Sequence, residues 1–333
     1  MQIAIVILNW NGESLLAQFL PKVLQYSEGT SIYVIDNNSS DGSVHLINTS
    51  FPSVQLIQNK SNGGFAKGYN DGLKHIDADV YCLLNSDVEV TPNWLVPIRD
   101  TFQKSSEISI VQPKILDLKR KEYFEYAGAA GGFIDKLGYP FCRGRIFQAL
   151  EKDIGQYDDI QEVFWATGAC MFIKSKVFHD LGGFDEDYFA HQEEIDLCWR
   201  AKNSGHRVFY TGKSHVFHLG GSTLSNMNPK KTFLNFRNSL YSITKNLPQQ
   251  TAIKIILYRL VLDGIAATRF AFQFKFNHFM AILRAHLSFY RNFRRMYRKR
   301  EKANFILNYH TTKSIVWSHF VHQINNFNIL VKD

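Results

Sequence analysis

The chain has 333 residues, of which 45% are hydrophobic and 14% aromatic, and its formal net charge is +8. This length suits one large domain or two modest ones, and the apolar content supports a real core, which excludes a disordered chain. The charge is concentrated, because residues 250–302 hold twelve Lys or Arg and two Asp or Glu, so that the rest sums to −2.

The cysteines and the apolar runs indicate the compartment. The four cysteines show no CxxC spacing and lie in apolar stretches, so we expect buried, reduced thiols, as in cytosolic proteins, and no structural zinc site. The first apolar run, residues 3–8, is too short for a signal peptide and is interpreted as a strand. No run of about 18 uncharged apolar residues occurs, so we expect no transmembrane helix.

Residues 1–116 alternate strand and helix signals. Strands are predicted at 3–8, 31–37, 54–59, 80–85 and 108–116, and helices at 13–26, at 64–76 and after Thr91-Pro92. Pro21 is expected to kink or break the first helix. The alternation predicts an α/β fold with a mostly parallel sheet and helices on both faces.

The second half is less regular. Residues 116–165 are predicted to form a loop-rich insertion with hairpin character, on the side where a second substrate, the acceptor, would bind. A strand, a helix and a loop follow over 166–189, then a helix over 193–205 and a strand over 206–212. The signals become helical and basic near residue 225. We therefore expect one domain over 1–225 and a helical, basic segment over 226–333.

Polar side chains stand where three predicted strands end. They are Asn9 and Asn11 on the first, Asp36 on the second, and Asn85, Ser86 and Asp87 on the fourth. Such residues are also common in turns. In open α/β sheets, however, ligands bind beyond the carboxyl ends of the strands. A buried carboxylate there needs a cation, and a divalent metal that carries a phosphate would provide one.

A glycine-rich stretch, NKSNGGFAKGYNDG over residues 59–72, follows the third strand. It matches neither the P-loop nor the GxGxxG pattern. Glycines such as Gly64 would let the backbone approach a diphosphate, with Lys67 nearby. The alternative is an ordinary junction between a loop and a helix.

Two acidic residues and two histidines complete the candidates. Glu193 and Glu194 open a predicted helix. Either could be a general base, or both could stand there only because the helix dipole favours carboxylates at that end. Asp196 points elsewhere around that helix. His215 and His218 face opposite sides of an extended segment, so at most one reaches a given site, and His218 is the better placed.

Seven segments carry a resemblance to a known family. In chain order they are ILNWNG, VIDNNSSDGS, NGGFAKGYNDG, LLNSDVEV, ATGACMFIKS, GGFDEDYFAHQEEIDLCWR and FHLGGST. Together they resemble the family 2 glycosyltransferases over roughly residues 1–245, and look closest to the rhamnosyltransferase-like branch that builds bacterial surface polysaccharides. The resemblance implies the GT-A fold, a nucleotide-binding α/β sheet with an acidic metal-binding motif.

On the nucleotide side, the resemblance implies that Asn9 and Asn11 lie near the donor and that Asp36 contacts the base or ribose. The pair Arg237-Asn238 resembles a recurrent Arg-Asn pair of uncertain role.

For the chemistry, the resemblance implies that Asp87 and His218 hold Mg²⁺ or Mn²⁺ with the donor diphosphate. Asn85 stands where the family's motif has its first acid, which leaves one carboxylate. Glu194 matches the catalytic base, although an Asp is commoner there, so Glu193 remains a rival.

The implied activity is metal-dependent, inverting transfer of a sugar from a nucleotide diphosphate sugar, with dTDP-rhamnose as one candidate. The acceptor would be a hydroxyl of a saccharide or lipid-linked saccharide in cell-surface polysaccharide synthesis. One rival is a noncatalytic GT-A scaffold that tethers an assembly at the membrane. Another is a sugar-phosphate nucleotidyltransferase, which needs a glycine- and arginine-rich loop after the first strand, whereas NWNGES has no arginine.

The basic segment interleaves twelve cations with ten aromatic residues over 250–302. It could lie on an anionic membrane, pack on the main domain with a solvated basic face, or bind nucleic acid. We favour peripheral association with the inner face of the cell membrane over nucleic-acid binding.

Overall fold

The structure, a computed structural model, describes residues 1–220, 228–300 and 305–332. The first half contains β1 (Ile3–Asn9), α1 (Glu13–Tyr26), β2 (Ser31–Asp36), α2 (Ser43–Ser50), β3 (Gln55–Gln58), α3 (Gly64–Leu73), β4 (Val80–Asn85), β5 (Val88–Val90), α4 (Leu95–Gln103) and β6 (Ile108–Asp117). Short strands follow: β7 (Gly132–Ile134), β8 (Pro140–Cys142), β9 (Arg145–Ile146), β10 (Ala149–Leu150) and β11 (Ile160–Glu162).

The remaining elements lead into a helical C-terminal part. They are β12 (Cys170–Lys174), α5 (Ser175–Asp180), a 3₁₀ turn (Glu186–Tyr188), α6 (Glu193–Asn203), β13 (Arg207–His218), α7 (Pro229–Asn246), α8 (Gln249–Phe272), α9 (Phe276–Arg298), α10 (Ile315–Phe320) and α11 (Phe327–Leu330).

Within the described ranges, the main sheet has nine strands in the order β11-β13-β6-β12-β4-β1-β2-β3, with β5 paired to β13. The strands β1, β2, β3, β4, β6 and β13 run in one direction, and β5, β11 and β12 run against them. The mostly parallel α/β fold is therefore confirmed. The insertion forms a small antiparallel sheet, β10-β9-β8-β7, as its hairpin character predicted.

Two local predictions need correction. First, Pro21 does not break α1, which continues to Tyr26, while a kink at Pro21 stays a prediction. Pro21 and Ala17, whose carbonyl loses its partner, are both solvent-exposed, so water can satisfy that carbonyl. Second, the last strand of the sheet extends to His218 rather than ending at residue 212, because it continues to pair with β6 and β5.

The C-terminal helices share the buried core of the sheet. One apolar cluster runs from Val6 and Leu83 on the strands to Leu240 on α7 and Phe289 on α9. The predicted division at residue 225 lies outside the described residues and stays a prediction. The four cysteines are buried and free, as predicted. In the part of the chain that the structure describes, no helix combines the length and apolarity needed to cross a bilayer.

Candidate active site

The parallel register brings the polar strand ends together. Asn9 lies opposite Asp36, and Leu8 opposite Asn85, at the carboxyl edge of the sheet. The side-chain Nδ2 of Asn9 donates to Asp36 Oδ1 at 3.1 Å, and the backbone N–H of Ser39 donates to Asp36 Oδ2 at 2.9 Å. Asp36 thus holds the loop after β2, and its contact with a base or ribose stays a prediction.

Asn11 supports the same loop. It takes a left-handed backbone conformation (φ 50°), and its side-chain oxygen accepts a hydrogen bond from the Ser40 backbone at 2.7 Å. Asn11 therefore fixes the end of β1 against the loop after β2, on the side where the donor nucleotide is expected.

Asp87 and His218 meet because β5 pairs with the end of β13. His218 lies opposite Val88 in that pairing, and its Nε2 atom is 3.1 Å from Asp87 Oδ1. Asn85 Nδ2 lies 3.4 Å from the same Nε2 atom. Asp87 and His218 are 4% and 5% exposed, so the cluster is withdrawn from bulk water.

Glu125 is a member of this cluster that the sequence did not indicate. It lies in the insertion, and its Oε2 atom is 3.3 Å from His218 Nδ1. Burial lowers the pKa of His218, but the charge of Glu125 and hydrogen bonding to Asp87 and Glu125 outweigh it and raise the pKa to about 10. Glu125 belongs to no recognisable motif, because only the folding of the insertion brings it to β13.

The pair would suit a divalent cation, whose binding requires Nε2 of His218 to give up its proton. Two ligands at right angles around an ion, each about 2.1 Å away, are about 3 Å apart, close to the separation of Asp87 Oδ1 and His218 Nε2. Among the described residues, no three His, Cys, Asp or Glu side chains are arranged to hold a metal by themselves. The pair therefore fits an ion that completes its shell with substrate phosphates and water, as Mg²⁺ commonly does.

The glycine-rich stretch contacts the loop before α6. Gly64 has φ +81°, and a Cβ atom there would lie 2.6 Å from the carbonyl oxygen of Phe189. That oxygen accepts a hydrogen bond from Phe65. Glycine is thus required for close approach of two backbones. Lys67 is paired with Asp71 at 2.8 Å on the surface, and its contact with a diphosphate stays a prediction.

Glu193 and Glu194 stand in the first turn of α6. Glu193 is buried and Glu194 half-buried, and within the described chain one carboxylate oxygen of each has no hydrogen-bond partner. Burial raises the pKa of both, well above the ordinary range for Glu193 and to about 7 for Glu194. A carboxylate with a pKa near 7 is suited to accept a proton at neutral pH.

The buried thiol of Cys142 feels the charges of both Glu125 and Glu194. Burial raises the pKa of the Cys142 thiol, Arg145 opposes that rise, and the charges of Glu125 and Glu194 raise it again. The two carboxylates thus act on the same thiol, with Glu125 also beside His218. Asp196, by contrast, forms ion pairs with Arg200 and Lys245, as its different direction on the helix predicted.

The loop before α6 is strained and clamped. Phe189, His191 and Gln192 all have positive φ, which is costly for residues other than glycine. The buried Asn238 on α7 places its Nδ2 atom 2.7 Å from the His191 carbonyl oxygen and 3.0 Å from that of Ala190.

Arg237 reinforces this clamp. Its Nε donates to Asn238 Oδ1 at 2.9 Å, and its Nη2 donates to the carbonyl oxygens of Asp187 and Tyr188. The Arg-Asn pair noted in the sequence therefore fixes the loop that leads directly to the two glutamates.

Two cations of the basic segment also hold this loop. Arg295 is paired with Asp187, and Lys299 Nζ lies 2.8 Å from Asp187 and 2.5 Å from Asp185. Part of the segment's charge is thus offset by ion pairs within the chain.

Comparison with known proteins identifies the family of the chain. The family model described as glycosyl transferase family 2 matches residues 4–182. A low-salt glycan biosynthesis hexosyltransferase, Agl10 of Haloferax volcanii, is 23% identical over 287 residues, which cover 83% of this chain and 87% of the relative. An N-acetylglucosaminyl-diphospho-decaprenol L-rhamnosyltransferase of Mycobacterium tuberculosis is 25% identical, covering 61% of this chain and 71% of the relative.

A solved structure shows the same fold. The mannosyltransferase PcManGT from Pyrobaculum calidifontis, in complex with GDP-Man and Mn²⁺, superposes with a TM-score of 0.54 at 10% identity and covers 87% of each chain. The family match extends over more than half of the sequence, and the sheet has the predicted GT-A architecture. The chain therefore belongs to glycosyl transferase family 2 and is a glycosyltransferase of the GT-A fold.

Proposed function

We propose that this glycosyltransferase moves a sugar from a nucleotide diphosphate sugar to a hydroxyl of a saccharide or lipid-linked saccharide in the synthesis of a cell-surface glycan. The observation that carries the proposal is the buried Asp87–His218 pair at the carboxyl edge of the sheet. The similarity to a glycan-biosynthesis hexosyltransferase and to a rhamnosyltransferase named for a diphospho-decaprenol substrate supports it.

Asp87 and His218 would hold Mg²⁺ or Mn²⁺, with Asn85 and Ser86 next to the donor. When bound, the ion supplies positive charge that offsets the negative charge developing on the leaving diphosphate. The Mn²⁺ named for PcManGT supports a divalent ion without deciding which one is used.

Glu194 would act as the general base. The acceptor hydroxyl attacks the anomeric carbon from the side opposite the diphosphate, and its proton passes to Glu194 while the bond from the anomeric carbon to the diphosphate oxygen breaks. Attack from the opposite side inverts the anomeric centre. The half-buried position and the pKa near 7 support Glu194 for this role, and the more deeply buried Glu193 is the rival.

The donor would lie along the carboxyl edge, with Asn9, Asn11 and Asp36 on the nucleotide side and Gly64 and Lys67 toward the diphosphate. We propose dTDP-rhamnose as the first donor to test, because a rhamnosyltransferase is among the relatives. A lipid-linked acceptor would place the enzyme peripherally at the inner face of the cell membrane.

A screen of nucleotide sugars tests this function. Purified protein is incubated with dTDP-rhamnose, UDP-GlcNAc or GDP-mannose and Mg²⁺ or Mn²⁺, and release of the nucleotide diphosphate is measured with and without saccharide acceptors. Metal-dependent turnover of one donor is expected. Absence of turnover together with absence of UDP and dTDP binding by calorimetry would favour the noncatalytic scaffold. Formation of a nucleotide sugar from a nucleoside triphosphate and a sugar phosphate would indicate the nucleotidyltransferase.

A further inference from the structure

The outer side of α8 is apolar along most of its length. Leu257, Tyr258, Val261 and Ile265 are 59–65% exposed, although each carries a large apolar side chain. The exposed side of α8 has a cation near each end, Lys254 and Arg269, and no charged residue between them. A soluble helix normally turns such a stripe toward the core.

The charged residues inside this stretch of α8 point the other way. Arg259 and Asp263 are 1% and 0% exposed, and Arg259 Nε lies 3.1 Å from Asp263 Oδ1. His286 of α9 reaches the second oxygen of Asp263 at 3.0 Å, and Tyr139 donates to the first at 2.8 Å. The hairpin that α8 and α9 form is thus attached to the insertion through the inner side of α8, which leaves the apolar stripe of α8 outside.

The helix α9 buries one side in the core and exposes a mixed side, on which leucines stand beside arginines such as Arg284 and Arg291. Its inner side buries Ile282, Ala285 and Phe289, whereas Leu283 and Leu287 on the opposite side are 41% and 56% exposed. Two aromatic side chains stand out where the helices meet, since Phe272 at the end of α8 and Phe274 in the connection are 85% and 84% exposed. We call the exposed apolar side chains of α8, α9 and their connection the hairpin face; they are Ile253, Leu257, Tyr258, Leu260, Val261, Ile265, Phe272, Phe274, Phe276, Met280, Leu283, Leu287 and Tyr290.

Exposed cations lie on the same helices as the hairpin face. They are Lys254, Arg269, Arg284, Arg291, Arg294 and Arg298, together with Arg295 and Lys299, which pair with Asp187. Among the described residues 249–300, the single acidic side chain is the buried Asp263. Two copies of this face would bring like charges together, which argues against self-association. An apolar stripe bordered by Lys and Arg is instead complementary to a surface with an apolar interior and anionic headgroups.

We propose that the hairpin face docks on an anionic lipid bilayer, with its apolar side chains in the interface and its arginines at the level of the headgroups. Helices of this type bury their apolar side about 5–10 Å into the boundary between headgroups and acyl chains. This inference rests on the proposed function for its purpose, since it would hold the enzyme where a lipid-linked acceptor resides.

The surface is also connected to the active site. The C-terminal end of α9 carries Arg295 and Lys299, which form ion pairs with Asp187 in the loop before α6. A docked hairpin therefore fixes the orientation of the glutamates relative to the bilayer. The connection runs from α9 through the loop before α6 to the two glutamates of α6.

The test is flotation of the full-length protein with vesicles of phosphatidylglycerol or phosphatidylcholine at low and high salt. We expect recovery with phosphatidylglycerol vesicles at low salt and at least about tenfold weaker binding by a Leu257→Ser/Val261→Ser/Phe274→Asn variant. Asn suits the positive φ of Phe274. The control variant Val96→Ser/Ile154→Ser changes exposed apolar residues elsewhere and should bind like the unmodified chain. Far-ultraviolet circular dichroism verifies that both variants are folded.

Several outcomes would overturn the proposal. These are no flotation of the unmodified chain, equal flotation of the triple variant, or oligomers that the triple variant abolishes. Binding of duplex DNA with a steep salt dependence, in place of vesicle binding, would also overturn it. Turnover with a soluble acceptor is measured without vesicles. If the unmodified chain turns over the donor but does not float, the docking surface alone is refuted, whereas flotation of the unmodified chain without turnover refutes the proposed function alone.

Discussion

His218 Nε2 lies 3.1 Å from Asp87 Oδ1, although 131 residues separate the two in the chain. The contact exists because β5 and β13 pair antiparallel at the carboxyl edge of the sheet. A short strand directly after the acidic motif therefore decides which histidine joins it. His215 points to the other side of β13, where it lies in register with Lys114 of β6.

Replacement of Asp87 by Asn should weaken Mn²⁺-dependent binding of the donor nucleotide, because the pair loses its one carboxylate. We expect a loss of at least about tenfold, in line with the sensitivity of metal sites to changed ligands. Calorimetry with UDP or dTDP, with and without Mn²⁺, measures it. Asp117→Asn is the control, since Asp117 lies in register with His218 but pairs with Arg120. Unchanged Mn²⁺ dependence in Asp87→Asn would show that the ion binds elsewhere.

Replacement of Glu125 by Gln should reduce metal affinity or activity by about 10–100-fold. The physical reason is that Glu125 lies 3.3 Å from His218 Nδ1, where a carboxylate orients the ring and strengthens the other nitrogen as a ligand. A titration of turnover against Mn²⁺ should show the loss recovered in part at high metal concentration. A variant that lost turnover equally at every Mn²⁺ concentration would assign Glu125 a different role.

Glu194→Gln should lower turnover by about 10²–10⁴-fold and leave donor binding intact. In the unmodified enzyme, kcat/KM should fall below about pH 7 as Glu194 takes up a proton. Glu193→Gln is the matched variant, and a larger loss there would exchange the two roles.

The raised pKa of Glu194 also predicts how the stability of the fold changes with pH. The pKa of Glu194 is raised from 4.5 to about 7 in the folded chain, so its contribution to stability falls as the pH rises through that window. Glu194→Gln removes the cost of the buried charge and should raise the melting temperature at pH 8 relative to its effect at pH 5. A melting temperature lowered at pH 8 would indicate that the ionised carboxylate is stabilised.

Asn238→Ala should lower kcat more than it changes the KM for the donor. The substitution removes the donor that faces the carbonyl oxygens of Ala190 and His191, and leaving such groups unsatisfied costs about 1–3 kcal/mol. Steady-state kinetics and thermal melts separate the effect on the site from the effect on the fold. Asn292→Ala is the control, because the Asn292 amide donates to the carbonyl oxygen of Ser288 in its own helix and to neither carbonyl of the loop before α6 that Asn238 contacts. Equal kinetics for the two variants would remove Asn238 from the positioning of the glutamates.

The sequence determined the order and type of the elements in the first half, since period-2 and period-3.6 patterns are local properties. It also indicated Asp87 and Glu194, because each stands at an end of a predicted strand or helix, and His218, because it lies just past a predicted strand and before two glycines. The segment 250–302 was identified as helical and basic for the same reason, from composition and spacing alone.

Only the tertiary structure decided which of these residues meet. The pairing of β5 with β13, the contact of Glu125 with His218 and the clamp of Asn238 on the loop before α6 all join parts of the chain that share no local pattern. The structure also divided the basic segment, giving Arg295 and Lys299 to internal ion pairs and leaving an apolar face between the outer cations. Such contacts depend on how elements pack in three dimensions, whereas sequence periodicity reports only which side of each element is apolar.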